Sequence, residues 1–146
     1  MKKTRTNKNA VGTERGQSLV ELSSMLLVIL ILVAGAVDLG MGFFSFVAVR
    51  DAAQEGALYG SLYPTDTSGI TNRVRGESSA PVDLSDVSKV TVSISTTAGA
   101  CRGGGVTVTV SYNYPISMPL LSTILGRTTI PLNASVTDTI INPKCP

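Results

Sequence analysis

The chain contains no histidine and no tryptophan, only two cysteines, and a charged fraction of 15%. Without histidine there is no His-based triad, no imidazole metal ligand and no ordinary pH-sensing ring. Cys101 and Cys145 lie too far apart for a CxxC redox or zinc motif. Asp83 and Asp86 have no further acidic neighbours at cation-loop spacing. Gly103-Gly104-Gly105 lacks the Lys-Ser/Thr pair and the helix start that follow a phosphate loop. Asn133-Ala134-Ser135 matches a glycosylation sequon, a three-residue pattern that arises often by chance. These absences point away from catalysis: no enzyme activity, cofactor, metal site or small-molecule substrate is expected. Aromatics are only 5% of residues, so aliphatic and Thr/Val packing must stabilise any core.

What is present is concentrated at the N-terminus. Lys2, Lys3, Arg5, Lys8 and Arg15 stand against Glu14 in the first 16 residues, while the remainder holds seven basic and nine acidic residues. Gly16-Gln17-Ser18-Leu19-Val20-Glu21-Leu22 follows, and from Met25 to Val37 every residue is apolar or glycine. A basic end beside an apolar run is read as a nucleic-acid arm less readily than as a cytoplasmic flank, by the positive-inside rule. No nucleic-acid partner is expected.

About 20 helical residues cross the hydrocarbon of a bilayer. Leu19 to Asp38 supplies that length, which places Asp38 near the outer interface, where its hydration penalty is small. A conventional secretory signal is the competing reading, with Ala34-Gly35-Ala36 as its small-residue cleavage site and a mature chain from Val37. That chain would be a secreted or anchored β-domain that binds through the loop around Cys101 or through Pro115–Leu125. Two features favour an anchor. Apolar character resumes past Ala36 through Met41–Val49, and a signal peptide has no need of Glu21 at the mouth of its apolar core. A carboxylate there is expensive near hydrocarbon unless a cation meets it. Cutting after Gly16 creates one, the α-amino group of Gln17.

Arg15-Gly16-Gln17-Ser18-Leu19-Val20-Glu21, with Asp38-Leu39-Gly40 beyond the apolar run and Val49–Ala57 further on, resembles the TadE-like branch of tight-adherence pilus proteins. The resemblance covers about residues 14 to 63. It implies processing between Gly16 and Gln17 by a prepilin peptidase, with Glu21 as the fifth residue of the mature chain. It further implies sister pilin subunits, an inner-membrane platform with its ATPase, and a place in the cytoplasmic membrane. The N-terminus would be cytoplasmic and the C-terminal domain extracytoplasmic, a minor pilin or pseudopilin rather than the abundant subunit, because the family's major subunits are generally much shorter.

The pattern predicts an α+β fold: a basic leader over 1–16, a long helix over 17–63 whose transmembrane half is about 19–38, and an exported domain over 64–146. Ala48, Ala52, Gly56 and Gly60 recur every four residues and form one small-residue stripe. Such a stripe seats a helix either on its own sheet or against a neighbouring helix. The helix should end near Tyr63-Pro64. Ile70 and Val74 suggest a short helix stopped by Gly76. Alternating apolar residues predict strands near 88–96, 106–114 and 129–138, with Pro131 either placing the third at an edge or giving it an irregular start. Pro115–Gly126 is an apolar excursion, either a cap on the core or an exposed patch, with a short helix from Pro119 to Leu125. Cys101 and Cys145 both fall in the exported part, where they pair or remain as two thiols. A bond would close about 43 residues and contribute roughly 2–4 kcal/mol.

Overall fold

The computed structural model describes residues 13–77 and 80–142, and divides into two units, Met1–Val37 and Asp38–Pro146. In chain order the elements are α1 (Thr13–Leu62), α2 (Thr67–Gly76), β1 (Val90–Thr96), β2 (Gly105–Pro115), α3 (Pro119–Leu125) and β3 (Thr129–Thr139). The architecture is α+β: a long apolar N-terminal helix and a three-stranded antiparallel sheet in the order β1-β2-β3. α1 starts at Thr13 rather than at Gln17. Nothing in Glu14-Arg15-Gly16 breaks a helix, and one interior glycine costs only about 1 kcal/mol.

In the first unit the side chains from Gly16 to Ala34 are all exposed. Ser23 and Ser24 donate their hydroxyls back to the carbonyls of Val20 and Glu21, at 2.9 and 2.8 Å, so both polar groups are met within the helix.

In the second unit, period-2 alternation sets the faces of the sheet. Val106, Val108 and Val110 are fully buried, and Val90, Tyr112, Tyr114 and Ala134 nearly so. The register aligns them in rows, Val92↔Val110 and Val108↔Val136 among them, so one face is continuously apolar. The opposite face is a lattice of hydroxyls, with Thr107 Oγ1 2.7 Å from Thr137 Oγ1 and Thr109 Oγ1 3.0 Å from Ser135 Oγ. Such cross-strand pairs each contribute about 0.2–1 kcal/mol. β3 is an edge strand, which is where Pro131, having no N–H to donate, does least harm.

The apolar face packs on α1 and α2. Val49, Ala52, Ala53 and Ala57 of α1 join Ile70 and Val74 of α2 in one core, each removed from solvent. Burying a valine or isoleucine stabilises by about 1.5–3 kcal/mol, so these few side chains carry much of the stability of a small unit. Asp66 starts α2 as its N-cap, accepting from the Gly69 N–H at 2.9 Å and from the Tyr59 hydroxyl at 3.0 Å. With Ser68 these donors hold the Asp66 carboxyl below its usual range, the Gly69 bond contributing most. The cap therefore stabilises fully above the ordinary carboxylate pKa and weakens as pH falls through the lowered one.

The chain between α2 and β1 contributes more than a connection. Val82 and Leu84 enter the core, and the Arg75 guanidinium donates to the Leu84 carbonyl at 3.0 Å and the Val90 carbonyl at 3.4 Å. Asp83 and Asp86 each turn back to accept from a serine two residues on, Ser85 and Ser88. Both acids thus shape turns. α3 has Pro119 at its first turn and ends on Gly126 at φ 64°, a left-handed residue that glycine supplies without a Cβ clash.

Candidate functional site

The stripe seen in the sequence is buried within the second unit. Ala52 is fully enclosed, Gly56 and Gly60 are buried, and Ala48 packs partly against the core. A Cβ at Gly56 would stand 2.5 Å from Val74 Cγ2 and 3.3 Å from Val108 Cγ1. At Gly60 it would meet Val106 Cγ2 at 2.9 Å and Ile70 Cδ1 at 3.1 Å. These glycines let α1 approach its own sheet and α2. Of the two roles open to the stripe, the intramolecular one occupies this portion. Gly40, by contrast, has nothing within 4 Å of an added Cβ.

Arg50, Asp51 and Gln54 lie off the stripe in solvent, and Glu55 pairs with Arg73 at 3.7 Å, an exposed contact of little energetic weight. The outward side of this stretch is apolar nonetheless. Leu39, Phe43 and Phe44 are 69%, 65% and 62% exposed.

At Asp38 the sequence reading missed burial and a partner, not the place along the helix. Rather than lying hydrated at an interface, it is 7% exposed and accepts from the Tyr114 hydroxyl through Oδ1 at 2.9 Å. The same hydroxyl lies 3.2 Å from the Asp38 carbonyl oxygen, and the Ser117 N–H approaches Oδ1 at 3.4 Å. The pair joins α1 to the end of β2, 76 residues away in sequence. Burial, and then the bond to Asp38, pushes the Tyr114 hydroxyl up to about 12, so it keeps its proton and remains a donor through the physiological range. The signal was present: Asp38 is the one charge between Leu22 and Val49, and Tyr114 closes an inward-facing alternation.

Replacing Tyr114 by Phe removes the donor and leaves the acid under-satisfied. The expected loss is about 1–3 kcal/mol, read as a lower urea midpoint of the full chain in detergent with an unchanged slope.

Asp38 Oδ2 is the one buried side-chain oxygen or nitrogen without a hydrogen-bond partner among the described residues. Beside it opens a cavity of about 220 Å³ whose lining includes Leu39, Gly42, Phe43, Phe46 and Leu121. α3 only partly caps this region. Leu121 is half-buried, whereas Ile124 is 72% exposed.

In the first unit, Gly16 and Gln17 are helical and exposed, and Glu21 is exposed with no ion-pair partner among the described residues. Residues 1–12 of the leader and Cys145 lie outside the described residues, so the Cys101–Cys145 pairing falls there too. No free cysteine stands among the described residues, nor any group of His, Cys, Asp and Glu able to hold a metal.

α1 is long and apolar enough to cross a membrane, and with the three-stranded sheet it defines the class of α+β proteins that carry a potential membrane-spanning helix. Comparison with known families narrows this: the model described as TadE-like protein matches residues 16–58, so the N-terminal helix of this chain is similar to that family. That span holds Gly16, Gln17, Glu21, Asp38 and most of the stripe. No curated protein and no solved structure matches the chain.

Proposed function

We propose that this chain is a minor pilin or pseudopilin of a tight-adherence pilus, cut by a prepilin peptidase after Gly16. The basic leader stays cytoplasmic, the apolar part of α1 spans the inner membrane, and the α+β unit lies outside it. The mature Gln17 α-ammonium meets Glu21 of its own or an adjacent chain, a pairing that fixes helix register during assembly. Its partners are the peptidase, sister pilins and the assembly platform. Cys101 and Cys145 form a disulfide in the oxidising compartment, tying the C-terminal tail to the β1–β2 loop. The role is structural, with no catalytic step.

The observation that carries this reading is the family match beginning at Gly16 and taking in Glu21, on a helix whose apolar side chains from Leu19 to Val33 are exposed. Leu22, Leu26 and Leu30 are 65%, 54% and 57% exposed, a surface that needs lipid or other helices.

N-terminal sequencing and intact mass of the protein from membranes test it. A chain beginning at Gln17 is the expected result, and Gly16→Lys should leave the leader attached. A wild-type chain beginning at Val37 would instead establish a conventional signal peptide and a released β-domain.

A further inference from the structure

We propose that the cavity beside Asp38 binds a membrane phospholipid bearing a primary amine, whose ammonium donates to Asp38 Oδ2. The proposal rests on the membrane-spanning reading of α1 and goes beyond it by naming a ligand. Three features converge. Asp38 is more than nine-tenths buried and has one oxygen satisfied by Tyr114 while the other has no partner among the described residues. The cavity that Asp38 lines is about 220 Å³ and otherwise walled by apolar side chains and Tyr114. Asp38 directly follows the apolar run Met25–Val37, where an amphiphile's headgroup meets its chains.

The occupant follows from the chemistry of the walls. A bound water needs two to four polar partners, and this cavity offers little beyond Asp38 and Tyr114. A carboxyl oxygen among apolar walls fits an amphiphile whose headgroup ends in a cationic N–H donor. A primary ammonium has three such donors, whereas the quaternary ammonium of a choline headgroup has none. Entry turns aside the rim side chains Leu39 and Phe43, both well exposed. The ammonium then reaches an oxygen that nothing among the described residues competes for, and the acyl chain lies against Phe46 and Leu121.

Native mass spectrometry of the full-length chain in micelles tests this, with equimolar phosphatidylethanolamine, phosphatidylcholine and phosphatidylglycerol of identical acyl chains. Wild type should retain the ethanolamine lipid over the choline lipid by about tenfold, the difference a hydrogen bond to a charged group makes. Asp38→Asn should reduce that ratio to parity. Should Asp38→Asn fold poorly, Gly42→Ala provides a second route. A Cβ at Gly42 comes no closer than 3.6 Å to Tyr114, an ordinary contact, so the methyl group narrows the cavity while leaving Asp38 and Tyr114 in place. It too should abolish the preference, and Asp51→Asn on the solvated side should not.

Equal retention of all three lipids by wild type, or a preference that survives Asp38→Asn, overturns the proposal. A lipid-independent dimer lost in Asp38→Asn also overturns it, by assigning the oxygen to a cation from a second copy. A chain that begins at Gln17 and sits in the membrane yet shows no lipid preference defeats this inference alone. A chain that begins at Val37 defeats the pilin reading first.

Discussion

Gly56→Leu should lower the urea midpoint of the second unit sharply, whereas Gly40→Ala should leave it unchanged or raise it. The two glycines lie on the same helix and differ in what surrounds them. Gly56 sits where α1 crosses α2 and β2, and even a methyl group there would come within 2.5 Å of Val74 Cγ2. Val74 is β-branched and fully buried, so its χ1 cannot turn away without opening the core elsewhere. Ala at position 56 gains about 1 kcal/mol of helix propensity but loses about 1–3 kcal/mol to overpacking, and is mildly destabilising on balance. Leu adds three further carbons with no space for them, and a loss of about 3 kcal/mol or more is expected. A small domain has about 5–15 kcal/mol in total, so the change removes a large share. At Gly40 nothing stands within 4 Å of the new Cβ, and only the propensity gain of about 1 kcal/mol remains. Urea unfolding of the full chain in detergent, followed by tyrosine emission, reads both. Equal midpoints for Gly56→Leu and wild type would show that α1 is not seated on this sheet through its glycines.

The same pair of residues shows what periodicity conveys and what it omits. A four-residue spacing of Ala48, Ala52, Gly56 and Gly60 identifies a face, and the face is used. What covers a face depends on which strands return to it, and that is a long-range property absent from local spacing. The strands were legible because each alternates strictly, and Pro131 left β3 either an edge or an irregular start, of which the structure shows the edge. Val82 and Leu84 were not. They lie in a Pro/Ser/Asp-rich stretch with neither helical nor strand period, and they are buried because Arg75 ties the backbone of that stretch to α2. Asp38 was misread for a related reason. A lone acid at the end of an apolar run reads as an interfacial residue until a tyrosine 76 residues later is found to reach it. At the N-terminus the candidate site was legible as chemistry, through a glycine, a following glutamate and an apolar run, because those cues are contiguous.

Glu21→Gln should leave the protein in the membrane at normal abundance, cut after Gly16, and reduce surface pili at least about tenfold. The substitution keeps the size and polarity of the side chain and removes only its charge. Insertion is not harmed, because a neutral amide near hydrocarbon is less costly than a carboxylate. On the proposed reading, processing depends on the Arg15-Gly16-Gln17 neighbourhood, which the substitution leaves unchanged, and should proceed. Assembly is what changes. In a bundle of apolar helices the mature Gln17 ammonium has one suitably placed acid within its own first turns, since Glu21 lies four residues on, one helical turn away. Removing that acid leaves a positive charge to be buried without a partner, a penalty of several kcal/mol for each subunit drawn into the fibre. Because 1.4 kcal/mol is already a factor of ten in an equilibrium, even a fraction of that penalty halts growth. Glu21→Asp keeps the charge on a stem one methylene shorter, and should restore pili partly. The ordering Glu, then Asp, then Gln in sheared-fibre yield, at equal membrane content, is the signature of a charge pair. If Glu21→Gln cells shed fibres at the wild-type level, Glu21 has no electrostatic role in assembly, and the glutamate near the helix start must be explained by something other than the ammonium that processing releases.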